Sequence, residues 1–76
     1  MSINLEPTAR ELQCLTGVAH GHTTADIARD LGLSSRTVDH HIANAMRKLN
    51  APTRAAAVAL GVHRGLVALH PPANGH

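Results

Sequence analysis

The sequence predicts an all-α fold of four helices, and three observations carry that prediction. Apolar residues recur at three- and four-residue spacing in four successive segments. Each segment is opened by Pro, Thr or Ser, and the first three are closed by Gly or Pro, the residues that start and stop helices. Nowhere does a run of strand-like alternation hold up. At 76 residues the chain has room for one domain. We place it over 1–70, followed by a mobile tail over 71–76 that begins Pro71-Pro72 and has nothing to bury.

The first helix rests on Leu12, Leu15 and Val18 with Ala19, opened by Pro7 at the first helical position and closed by Gly21. Thr23 followed by Asp26 reads as a capping pair for a second helix of about two turns, whose stripe is Ile27, Ala28 and Leu31 and whose stop is Gly32. Only Gly32 and Leu33 separate it from Ser34, the N-cap of a third helix over about 35–49. There Val38, Ile42, Ala45 and Leu49 recur at four, three and four residues. Pro52 breaks the pattern and Thr53 caps again. Ala57, Val58 and Leu60, with Val62, predict an Ala-rich fourth helix over about 54–67, weakened by Gly61.

Composition narrows the function. Apolar residues make up 43% of the chain but Phe, Tyr and Trp are absent, so the core must be Leu, Ile, Val, Ala and Met. Without aromatics there is no stacking platform for single-stranded nucleic acid and no RNA-recognition sheet. Seven Lys and Arg against five Asp and Glu give a formal +2, with seven His that add charge only below about pH 6.5. That balance permits phosphate binding without demanding it. Cys14 is the one cysteine, which excludes an internal disulfide, fits a reducing cytosol and reads as a buried, inert thiol. The N-terminus has no basic and apolar leader pattern. The longest apolar run, Ala55 to Val62, falls far short of the ~20 residues of a membrane span, so a cytoplasmic protein is expected.

Catalysis and metal binding find little support. His20 and His22 lie one residue apart and His40-His41 are adjacent, but neighbouring helical residues point about 100° apart and no Cys or carboxylate completes a ligand set. His63, His70 and His76 read as solvated. Neither a Gly-rich phosphate loop nor a Ser-His-Asp set is present, so no enzyme activity, metal or cofactor is expected.

A short helix, a tight Gly-containing turn and a longer capped helix describe a helix-turn-helix. The first and fourth helices would cover its two sides. On the third helix Arg36, His40, Ala43 and Arg47 lie opposite the apolar stripe, with Asp39 and Asn44 on the flanks. Any solvated helix shows a polar outer face, so the context matters. Phosphate-seeking candidates gather at the same edge, namely Thr23, Thr24, Ser34, Arg36, Arg47, Lys48 and Arg54, with Asn44 beside them. An α-helix fits the major groove of B-DNA, and helix starts suit phosphate.

The residues Leu5-Glu6-Pro7-Thr8-Ala9-Arg10-Glu11-Leu12, Gly21, Ile27-Ala28, Leu31-Gly32-Leu33-Ser34, Thr37-Val38, His41, Arg47-Lys48-Leu49, Arg54 and Ala57-Val58 together resemble the LuxR-type (GerE) helix-turn-helix domain, over residues 5–67. The resemblance implies four helices, the third in the major groove of double-stranded DNA and the fourth supplying a homodimer contact on a two-fold-related operator. It assigns phosphate contacts to Thr23, Thr24, Arg36, Thr37, His41, Lys48 and Arg54, and base readout to Asp39, His40 and Ala43. It also implies a sensor domain or protein partner that this chain does not contain.

The chain departs from the family pattern in three places. Asp39 stands where Lys or Arg is usual, and Ala43 where a longer polar residue is common. A carboxylate accepts from cytosine N4, an imidazole donates to guanine and a methyl meets the thymine methyl, so readout by Asp39, His40 and Ala43 is chemically sound but unusual. Asp39 is alternatively expected to pair with Arg36 or His40. Glu6 stands at the cap position where Thr is usual, at a cost of up to about 1 kcal/mol. Glu11 is expected to hold an Arg or a backbone amide between helices. Two functions follow: a DNA-binding transcriptional regulator or its output domain, or the same scaffold used as a protein-interaction and dimerisation module.

Overall fold

The computed structural model describes residues 6–69 of the chain. They form α1 (Ala9–Ala19), α2 (Thr24–Leu31), α3 (Ser35–Lys48) and α4 (Arg54–His63), with no strand among the described residues. The tail expected over 71–76 lies outside them.

All four helices start in one way. Thr8, Thr23, Ser34 and Thr53 sit in extended backbone, and each side-chain oxygen accepts from the amide three residues on, at Glu11, Asp26, Thr37 and Ala56. In α1 and α2 the acidic residue of the first turn bonds back to the cap amide, completing a capping box. Two expectations at the N-terminus are corrected here. Pro7 is a buried residue ahead of the cap rather than the first helical residue, and Thr8, not Glu6, caps α1. The Glu6 carboxylate instead accepts from Arg64 Nη2 at 2.6 Å, joining the two ends of the described chain.

The helix ends are equally uniform. After α2, Gly32 takes φ 69° and lets the Leu33 amide bond back to Ala28 O at 2.8 Å. After α3 the same left-handed position is filled by Asn50 at φ 56°, with the Ala51 amide on Met46 O at 2.8 Å. Asn is the side chain that best tolerates this region after Gly, so the turn into Pro52 needs no glycine.

Helices α1 and α3 pack most extensively, and α2 and α4 flank that pair without their backbones meeting. The sequence placed α1 and α4 on the flanks; α1 is central because both of its faces are apolar. Cys14 joins Ile27, Ala28, Val38 and Ile42 on one side, and Leu15 joins Ala45, Leu49, Ala51, Ala57 and Val67 on the other. Met46 touches both clusters. Cys14 is fully buried, and that burial pushes its thiol pKa up.

Helix α4 ends at His63, short of the expected 67, and the chain then turns back so that Val67 enters the core at 4% exposure. Gly61 makes that possible: a Cβ there would lie 2.8 Å from Val67 Cγ2 and 3.6 Å from Leu15 Cδ2. The residue read as a weakness in α4 is a close-contact position. Gly17 plays the same part between α1 and α2, where a Cβ would meet Ile27 Cγ1 at 2.6 Å.

One ion pair bridges α1 and α3. Lys48 Nζ donates to the two Glu11 oxygens at 2.9 and 3.2 Å, and the Thr8 amide donates to Glu11 Oε1 at 2.9 Å. The expected partner of Glu11 was an Arg or an amide between helices; the partners are a Lys across the interface and the amide of its own helix cap. Burial raises the Glu11 pKa, but the Thr8 amide and the Lys48 ammonium outweigh it and the carboxyl titrates below its ordinary value.

A carboxyl with a lowered folded-state pKa contributes stability above its unfolded value, about 4.5, and loses it as the pH falls through the folded value. In urea titrations across pH 3–7, wild type should weaken on the acid side while Glu11→Gln is weaker at neutral pH by about 2 kcal/mol and flatter in acid. Equal pH profiles would remove Glu11 from the acid response. Gly17→Ala should also destabilise, because an overpacking cost of about 1–3 kcal/mol exceeds the helix-propensity gain of up to about 1 kcal/mol. A higher thermal midpoint for that variant would show that Ile27 yields freely.

Candidate nucleic-acid interface

The α1–α3 contact decides which side of α3 faces out. Val38, Ile42 and Ala45 are fully buried, so the helical repeat leaves Arg36, His40, Ala43 and Arg47 exposed on the opposite side. The expected outward face is the observed one.

The starts of α2 and α3 border this face. The Thr23 and Ser34 hydroxyls accept from helix amides, and Ser34 Oγ lies 2.8 Å from Thr37 Oγ1. An N-cap hydroxyl that accepts still has its own hydrogen to give, and the unpaired amides of a helix start favour an anion. At the α2 start that anion is the Asp26 carboxylate of the same helix: the Thr23 amide and hydroxyl, with Arg29, hold it below its ordinary pKa.

The cations divide into two groups. Lys48 is turned onto Glu11 with only 19% of its side chain exposed, and Arg54 donates to Asp39 Oδ1 at 2.7 Å. Arg36 and Arg47 make no ion pair among the described residues. Arg47 is steadied from its own helix, donating to Asn44 Oδ1 at 2.8 Å. The phosphate-seeking charge on this side is therefore smaller than the sequence suggests.

Asp39 departs most from expectation. It pairs with neither Arg36 nor His40 but with Arg54 at the start of α4, and Thr24 of α2 adds a hydrogen bond to the same Oδ1 at 3.3 Å. The first residue of α4 is brought beside the second turn of α3. Arg54 Nη1 also reaches Thr24 Oγ1 at 3.5 Å. Three helices thus meet at one exposed polar cluster. His41 is half-buried at the edge of the face. An open groove of about 510 Å³ between α1 and α2, lined by Leu12, Gly17, Ile27 and Leu31, takes no residue from α3.

A short helix, a turn at Gly32 and a capped helix with a polar outer face form a helix-turn-helix, with α1 packed on both of its helices and α4 on α1 and α3. Among the described residues no helix is long and apolar enough to cross a membrane. Comparison with known proteins agrees with this geometry. The family model of bacterial regulatory proteins of the luxR family (GerE) matches residues 8–60. The transcriptional activator protein AnoR of Acinetobacter nosocomialis is 41% identical over 64 residues, 84% of this chain and 27% of AnoR. The transcriptional activator protein LuxR of Aliivibrio fischeri is 36% identical over 64 residues, 84% of this chain and 26% of LuxR. The chain thus spans about a quarter of the length of these relatives. The solved structure of the transcription factor GerE superposes with a TM-score of 0.80 at 29% identity, covering 90% of this chain and all of that one. The chain belongs to the LuxR family of bacterial regulatory proteins, and its four helices are that family's GerE-type helix-turn-helix domain.

Proposed function

We propose that this chain is a DNA-binding transcriptional regulator, or the output domain of one, that lays α3 in the major groove of duplex DNA in the cytoplasm. The observation that carries the reading is the outward face of α3, where Arg36, His40, Ala43 and Arg47 stand exposed between two capped helix starts. Relatives named as transcriptional activators support a role in regulating transcription. Their greater length leaves room for a sensor domain elsewhere in such proteins.

Base readout falls to Asp39, His40 and Ala43. Arg36 and Arg47 supply charge to phosphate. Thr23, Thr24, Ser34, Thr37, His41 and Asn44 offer neutral hydrogen bonds along the backbone. Lys48 and Arg54 are assigned elsewhere, to Glu11 and Asp39, although the family resemblance implies phosphate contacts for both. A homodimer through α4 would place two copies of α3 on a two-fold-related site. Ala55 and Ala59 are exposed on α4 and Val58 and Val62 half-buried, a surface of small apolar residues suited to close helix contact. The reading includes no catalytic step, metal or cofactor.

Duplex binding titrated across salt concentrations tests this directly, because affinity built on phosphate contacts falls with salt and affinity built on an apolar interface does not. Arg47→Ala should weaken all duplexes alike and lower the slope of log K against log salt by about 0.9 for each copy bound. His40→Ala should change the preferred sequence while leaving the slope in place. Salt-independent binding, or none, would favour a protein-interaction module. An unchanged preference in His40→Ala would move the reading face off this side of α3.

A further inference from the structure

The Asp39 carboxylate lies at the second turn of a helix whose outer face is otherwise cationic or neutral, with 54% of its side chain exposed. Facing DNA, a lone carboxylate there would be repelled. Its surroundings alter that. Both hydrogen bonds it receives, from Arg54 Nη2 at 2.7 Å and Thr24 Oγ1 at 3.3 Å, fall on Oδ1. Among the described residues Oδ2 receives none. The Arg54 guanidinium offsets the charge, and two donors from two other helices fix the orientation of the group. What Asp39 presents outward is a held, charge-compensated acceptor.

An acceptor at a fixed point in the major groove discriminates among bases. Guanine offers O6 and N7 and thymine O4, all acceptors that repel a carboxylate oxygen; adenine sets its N6 donor beside the N7 acceptor; cytosine offers its N4 amino group alone. Resting on the duplex-binding reading above, we propose that Asp39 is a specificity-determining residue that selects cytosine through Oδ2, and that Arg54 and Thr24 act as positioning residues by holding Oδ1. The two roles that Arg54 can fill are separable. An Arg that anchors phosphate changes the affinity for every sequence and the salt slope. An Arg that positions Asp39 changes base preference at one column of the site.

The test is selection of bound sequences from a random duplex library by the purified 76-residue chain, in parallel for wild type, Asp39→Asn, Arg54→Ala and Arg54→Lys. Asp39→Asn keeps an oxygen for Arg54 and turns the outward acceptor into an amide donor. Wild type should enrich a motif with one cytosine column per half-site. In Asp39→Asn that column should change to a purine, whose N7 accepts, with a shift in preference of about five-fold or more. Arg54→Ala should broaden that column while the others keep their preference, with a general loss of affinity because the Asp39 charge is left uncompensated, and Arg54→Lys should restore part of the preference. A motif that Asp39→Asn leaves untouched overturns the proposal. So does an Arg54→Ala variant that loses affinity for all duplexes alike and keeps the cytosine column as sharp as in wild type. No enrichment by wild type would instead defeat the duplex-binding reading and this inference with it.

Discussion

Every outward feature of this domain is set by the seam where α1 lies across α3. Cys14 and Leu15 from one helix and Val38, Ile42 and Ala45 from the other are fully buried there. Adjacent residues on α1 point about 100° apart, so Cys14 and Leu15 face different neighbours and each belongs to one of the two core clusters. With α3 fixed by three buried positions, rotation by one residue would bring Asp39 in one direction, or Thr37, His41 and Asn44 in the other, into the core at a cost of several kcal/mol. The seam also explains how a chain without aromatics makes a core. Small residues let the helices approach closely, as at Ala45 and Ala57, and glycine at 17 and 61 admits Ile27 and Val67 side chains where a methyl would stand.

Close packing has an electrostatic counterpart. Of seven Lys and Arg in the chain, Arg29, Lys48, Arg54 and Arg64 are held by carboxylates of the same chain. These pairs differ in worth. Lys48–Glu11 is largely shielded from water and shares its carboxylate with a helix cap, so it ties the start of α1 to the end of α3. Arg64–Glu6 and Arg54–Asp39 are half-exposed, where a single pair contributes at most about 1 kcal/mol. Their role is better described as orientation. The count of seven cationic side chains thus overstates the charge free to meet an anion, since among the described residues only Arg10, Arg36 and Arg47 make no ion pair.

Much of this was legible in the sequence, and what was missed has identifiable causes. Thr23, Ser34 and Thr53 were readable as caps because each stands just ahead of an apolar stripe. Thr8 was not, because Pro7 carries a competing start signal and a proline before the cap looks the same as one after it. Gly61 was taken for a flaw because glycine that weakens a helix and glycine that admits a neighbour differ only in what packs against them. The end of α4 was placed too late for a related reason: Val67 is apolar and buried, but it reaches the core by a turn rather than by helical periodicity. The outer face of α3 was predicted correctly since it needs only the period of one helix. The partners of Asp39 and Lys48 were not, since they belong to helices 15 and 37 residues away and depend on the packing angle.

That difference bears on how such a face can change. Substituting Arg36, His40, Ala43 or Arg47 alters what α3 presents without touching the core, because none of them faces α1. They are neighbours at three- and four-residue spacing on one helix, so their effects couple with one another but not with the core. Asp39 is different in kind. Its Oδ1 is shared by Thr24 of α2 and Arg54 of α4, so its orientation reports the relative placement of three helices, two of which have no backbone contact with each other. Any displacement of α4, including one that a second copy would impose by packing on its exposed alanines, would act on Arg54 and through it on the Asp39 carboxylate. Dimer geometry and base preference would then be coupled through one exposed ion pair, weak in stability and specific in direction.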